Sequence, residues 1–263
     1  MAKRRYGQIL GVWLGSLLAI YLMGSVSARF HLPELTRELL IEVFMVIFIV
    51  GVNRYGVHGH LYWRPDVSVR EQLRVNTFPL FIIGLGLLTS WVAPWSARTG
   101  YAIGLAALAG LVAVFEETLF RGIILGSLLT GLSQQRHGVL WAVGLSSLLF
   151  SLSHAINLTH QSAAVTAVQV LGTFAMGLLL AVSYLQTRSL IWPMAFHALF
   201  DFSGFLRLGL TTGANPQTPL AVELVSVGVA GCWALCLLRP NQQRRVLARF
   251  MTEKNTQTTG KGV

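Results

Sequence analysis

The chain has 263 residues and a net charge of +10, yet only 11% of its residues are charged and 54% are hydrophobic, with a mean hydropathy of +0.61. Soluble domains carry about 25% charged residues, so there is too little charge here to coat a water-facing surface. The basic residues are scattered in short pieces between apolar runs instead of clustering on one solvated face, which removes nucleic acid as a partner.

Crossing a hydrocarbon core of about 30 Å takes about 20 mostly apolar helical residues. In chain order such runs fall near 9–28, 38–54, 76–95, 100–132, 138–156, 163–186, 190–207 and 218–238. They are continuous rather than alternating, which argues against a membrane barrel and predicts an all-α, polytopic helical bundle of about eight transmembrane helices. Lys3, Arg4 and Arg5 before the first run, with Val26-Ser27-Ala28 at its end, resemble a signal peptide. The run exceeds the roughly 7–15 apolar residues of a signal sequence, so a retained first helix is expected.

Eight spans put both termini on one side. That side holds fifteen basic residues: Lys3, Arg4, Arg5, Arg54, Arg64, Arg70, Arg74, Arg136, Arg188 and six from Arg239 to Lys261. The other side holds four, Arg29, Arg37, Arg98 and Arg207. By the positive-inside rule both termini are cytoplasmic, in the plasma membrane if the source is bacterial. Cys232 and Cys236 lie four apart in an apolar run and read as packing residues rather than a disulfide or zinc framework. Gly11 and Gly15, Gly100 and Gly104, and Gly122 and Gly126 have the spacing that lets membrane helices approach closely. The basic segment from Asn241 onward reads as a tail resting on anionic lipid.

A charge at the bilayer centre costs about 2.5–3.5 kcal/mol on insertion scales, so an intramembrane ionisable group points to function. Such groups collect in three places: Glu116, Glu117 and Arg121; His154; and His197 with Asp201. Glu42 and Glu223 fall four or five residues from predicted outer ends, where they are expected to snorkel to water in a structural role. Glu117 and Arg121 stand at i and i+4 with the acid first, a spacing that lets them neutralise each other. Glu116 is turned about 100° away on the helix, which leaves it available as a general base or acid. Phe150 precedes His154, and His197 precedes Asp201, by one helical turn, so each pair shares a face. Ser133 to Gly138 reads as the turn of a hairpin, and Glu116 and His154 lie equally far from its centre at position 135, at one height.

Glu-Glu-x-x-x-Arg, Phe-x-x-x-His and His-x-x-x-Asp, in that order on successive membrane helices, resemble the motifs of the CAAX-processing and bacteriocin-processing (CPBP) intramembrane endopeptidases, which include the type II CAAX prenyl endopeptidases. The resemblance implies hydrolysis of a peptide bond in a membrane-associated protein or peptide. By motif position Glu116 would activate water, Glu117 and Arg121 would form a structural ion pair, and His154, His197 and the residue four beyond would stabilise the reacting groups. Asp201 departs from the Asn of the prenyl endopeptidases; an ionised Asp cannot donate to an oxyanion, so it would orient His197, act protonated, or ligate a metal. The resemblance implies no cofactor, with a zinc site on Glu116, His154, His197 and Asp201 as the alternative.

The organisation expected is 1–99 as three N-terminal helices with a cytoplasmic loop at 54–75, 100–207 as a CPBP-like catalytic core, 208–238 as a last membrane helix, and 239–263 as a basic cytoplasmic tail. Two other functions remain open, a proton-coupled transporter and a non-proteolytic scaffold or immunity protein of the same fold. A serine dyad of Ser146 with His197 would leave Glu116 without a role.

Overall fold

The computed structural model describes residues 2–92, 99–210 and 218–259. These are mostly helical, and no strand occurs among them. The elements are α1 (Ala2–Ser27), α2 (Glu34–Val52), α3 (Val69–Val75), α4 (Thr77–Val92), α5 (Thr99–Glu117), α6 (Gly126–Leu132), α7 (Gly138–Ser153), α8 (Ala163–Thr187), α9 (Ile191–Leu208), α10 (Leu220–Leu237) and α11 (Pro240–Thr259). A π-helical stretch, Thr118–Leu125, joins α5 to α6, and a 3₁₀ stretch, His154–Thr159, extends α7.

Among the described residues, five segments are long and apolar enough to cross a membrane: Arg5–Phe30, Gly100–Leu132, Gly138–Thr159, Ala163–Thr187 and Leu220–Leu237. The other three predicted runs are helices as well, α2, α4 and α9. Two of them fall short for physical reasons: Glu34, Arg37, Glu38 and Glu42 interrupt α2, and α9 carries His197, Asp201 and Arg207. The C-terminal end of the third run (93–95), Arg98 and Lys261 lie outside the described residues. The chain is an integral membrane protein.

Half of the Gly100–Leu132 window is buried, against 11% for the first and last spans, so this segment is the axis about which the others pack. The outer faces of α1, α2 and α10 expose Leu14, Leu18, Ile47, Leu224 and Val225, side chains that hydrocarbon covers without cost. Polar groups join the helices where lipid offers no partner. The Trp13 indole donates to the Leu149 carbonyl and to Ser153 Oγ, Ser183 Oγ donates to Asn76 Oδ1 at 2.7 Å, and Gln186 Nε2 donates to the Leu237 carbonyl. Of the six glycines with close-packing spacing, only Gly104 and Gly122 have a neighbour near the missing Cβ, Leu35 and Leu61 respectively.

The basic tail does not simply rest on lipid. Over Pro240–Thr259 it is a helix, with Gln243, Val246 and Phe250 buried on one face and Arg244 and Arg245 exposed on the other. Phe250 packs edge-on to Tyr62 and Tyr184. Asp66 accepts from Arg188 Nη1 at 3.3 Å and from Arg249 Nε at 3.0 Å, with a second contact to Arg249 Nη2, so one carboxylate ties α11 to the α8–α9 corner. The groups are partly exposed, and the network is worth about 1 kcal/mol. Asp66→Ala is therefore expected to open α11 about fivefold more often, read as faster tryptic cleavage at Arg244 and Arg245; an unchanged rate would assign the docking to Val246 and Phe250 alone.

Candidate active site

The sequence brings two glutamates to the last turn of α5, where the helix changes pitch. Beyond Glu117 the backbone widens into the π-helical stretch, a feature that recurs at functional sites because it re-aims side chains. The Phe120 carbonyl within it accepts from Ser146 Oγ at 2.9 Å. Ser146 is 1% exposed and committed to that bond, so it has no part in a serine dyad with His197.

Glu117 and Arg121 form a buried ion pair, Nη1 to Oε1 at 2.8 Å, with both side chains at most 1% exposed. The guanidinium has further anchors. Arg121 Nη2 donates to the Gly177 carbonyl at 3.3 Å, and its Cζ stands 4.5 Å above the Phe150 ring. Gly177 lets α7 pack closely on α8 beside this bond: a Cβ there would stand 3.0 Å from Ser147 Cβ and 3.3 Å from Phe150 Cδ1.

Glu117 Oε1 also meets His197 Nδ1 at 2.7 Å, a contact between residues 80 apart in sequence. A carboxylate already paired to an arginine only accepts, so Nδ1 carries the hydrogen and the ring is fixed with Nε2 turned to the other acids. Nε2 lies 3.5 Å from Glu116 Oε2 and 3.4 Å from Asp201 Oδ2. His154 Nδ1 faces the Phe150 carbonyl at 3.1 Å, and since a carbonyl accepts, His154 Nε2 is left as a lone pair. Phe150 is the hub: its ring meets Phe120, His154 and His197 edge to face at centroid distances of 5.2, 5.3 and 5.7 Å. Thus the structure brings Glu116, Glu117, Arg121, His197 and Asp201 together directly, and His154 through Phe150.

Phe150, His154, His197 and Asp201 line a cavity of about 590 Å³ between α7, α8, α9 and α10. Glu116 is not part of its wall but touches the wall residue His197. Among the described residues no three His, Cys, Asp or Glu side chains form a group that could hold a metal ion.

Residues 98–203 match a protein family described as type II CAAX prenyl endopeptidase Rce1-like. Over this segment the chain is similar to that family. The match covers about two fifths of the chain and spans all three motifs. No curated protein matches the chain. The Rce1-like family is a protease family, and it indicates an intramembrane protease; it favours neither a transporter nor a scaffold.

Two acids take positions that sequence reasoning missed. Glu42 does not snorkel: its Oε2 is buried on α2 without a hydrogen-bond partner, within electrostatic reach of Glu116 and His197. Its sequence signal was an acid eight residues inside an apolar helix. Glu223, in the first turn of α10, is half-buried and lines the cavity.

Proposed function

We propose that the protein is an intramembrane endopeptidase that hydrolyses a peptide bond of a membrane-associated protein or peptide with water activated by Glu116. The observation that carries this reading is the convergence of both glutamates of the first motif and the Asp of the third on one imidazole, His197, at the wall of a substrate-sized cavity. Glu116 accepts a proton from water as the oxygen attacks the scissile carbonyl, and later returns it to the leaving amine. His154 Nε2 accepts a hydrogen bond from that water and so aims it. A charged His197 donates from Nε2 to the oxyanion, with Glu117 and Asp201 balancing its charge. Asp201 orients the ring rather than donating to the oxyanion itself. Phe150, Glu117 and Arg121 hold the geometry.

The same proposal covers topology and organisation: eight spans with 100–207 as the catalytic core and both termini in the cytoplasm, supported by the fifteen-to-four distribution of basic residues. Reporter fusions after Leu32 and after Val263 are expected to report opposite sides, the latter cytoplasmic; two signals from one side would overturn it. Comparative membrane peptidomics of wild type against Glu116→Ala tests the activity itself. Products present in wild type and missing in the variant are expected, and identical peptide sets would count against a protease.

A further inference from the structure

Among the described residues, the cavity wall carries two acids, Asp201 and Glu223, and no lysine or arginine. Asp201 faces His197 at 3.4 Å. Glu223 has no such counterpart: among the described residues it makes no hydrogen bond and no ion pair. A place in the first turn of a helix suits an acid, because the backbone N–H groups there favour negative charge. That explains why an acid is tolerated at this position, but not where its carboxylate lies.

Glu223 is shared by two cavities. One is the 590 Å³ space that holds His154, His197 and Asp201; the other, about 230 Å³, is walled mainly by apolar groups including Ile82, Ile83, Leu179 and Phe196. Gly172, Met176 and Phe200 border both as well, so the carboxylate stands at the junction. It is pressed against α8, with Oε2 2.8 Å from where a Cβ on Gly172 would be. With any other residue at 172 the carboxylate would have to shift from that placement. A half-buried carboxylate at an apolar-rimmed junction, open to the cavity and with no cation beside it among the described residues, is free to pair with a cation from a bound molecule.

We propose that Glu223 is a recognition site for a cationic side chain, lysine or arginine, of the peptide substrate, held at the junction of the two cavities while the scissile bond lies against His154, His197 and Asp201. This rests on the protease reading, and it adds a charge requirement a few residues from the cleaved bond. A lysine or arginine stem suits the passage, since its methylenes lie along Met176 and Phe200 while the head reaches the carboxylate.

The test separates binding from cleavage. Full-length protein carrying Glu116→Gln, in lipid nanodiscs, is titrated with fluorescent apolar peptides that are identical except for one lysine or one glutamine, the position being scanned along the peptide. At one position the lysine peptide is expected to bind about tenfold more tightly. Adding Glu223→Gln should level the two, and adding Glu223→Lys should shift the preference to a glutamate peptide, while binding of the glutamine peptide reports that each variant is folded. Equal affinities at every position, no binding by any lysine peptide, or a lysine preference that survives Glu223→Gln would overturn the proposal. Turnover of the same peptides by the wild-type protein is read separately, so a failure of cleavage bears on the protease reading and a failure of charge preference bears on Glu223.

Discussion

Glu116→Gln is expected to lower the rate of peptide hydrolysis by about 10²–10⁴-fold, the usual contribution of a positioned general base, while leaving the fold intact. The substitution is nearly isosteric, and Glu116 Oε2 has no hydrogen-bond partner to lose. Its nearest charged contact is His197 Nε2 at 3.5 Å, too long to hold the helices together. The amide of Gln cannot accept the proton of water, so the loss should appear in kcat rather than in substrate affinity. The measurement is single-turnover cleavage by purified protein beside thermal unfolding in detergent. Hydrolysis at the wild-type rate would remove Glu116 from the mechanism, whereas a collapse of thermal stability would give it a structural role.

The second large effect is expected at the buried ion pair, and there stability and activity should separate. Arg121→Met leaves Glu117 in the protein interior with only His197 to face it, and Glu117→Gln leaves the Arg121 guanidinium with a carbonyl and a ring. Removing one partner of a buried pair costs about 3–5 kcal/mol, because the remaining charge is stranded. Each single variant should therefore unfold at markedly lower temperature. The double variant Glu117→Gln with Arg121→Met removes both charges and should be more stable than either single one, a non-additivity that thermal unfolding reads directly. Its cleavage activity should stay low all the same, since the carboxylate that fixes His197 through Nδ1 is gone. Recovery of both stability and activity would mean that Glu117 serves only to neutralise Arg121.

The ion pair itself was legible in the chain, because i and i+4 on a helix is a local relation that no tertiary contact is needed to establish. The hairpin turn was legible for a similar reason: Ser133 to His137 is the polar interruption between two apolar runs, and the structure turns there, between α6 and α7. The docking of α11 was half legible. Gln243, Val246 and Phe250 have the spacing of one helix face, but the basic residues around them suggested lipid, and only the aromatic contacts with Tyr62 and Tyr184 make that face internal.

By itself the sequence determined the class, the positions of the apolar helices, and which ionisable groups fall within apolar runs, since each follows from local composition and from the cost of charge in hydrocarbon. Only the tertiary structure decided how those groups face one another: that His197 joins Glu117 to Glu116 and Asp201, that Glu42 is buried near them, and that Glu223 stands between two cavities. The physical reason is that a membrane helix is apolar on its lipid face and on its protein face alike. Periodicity, which tells a soluble helix which way to turn, carries little information here. The rotation of each helix is set by contacts across the bundle, and it was those contacts that turned a handful of scattered acids and histidines into a site.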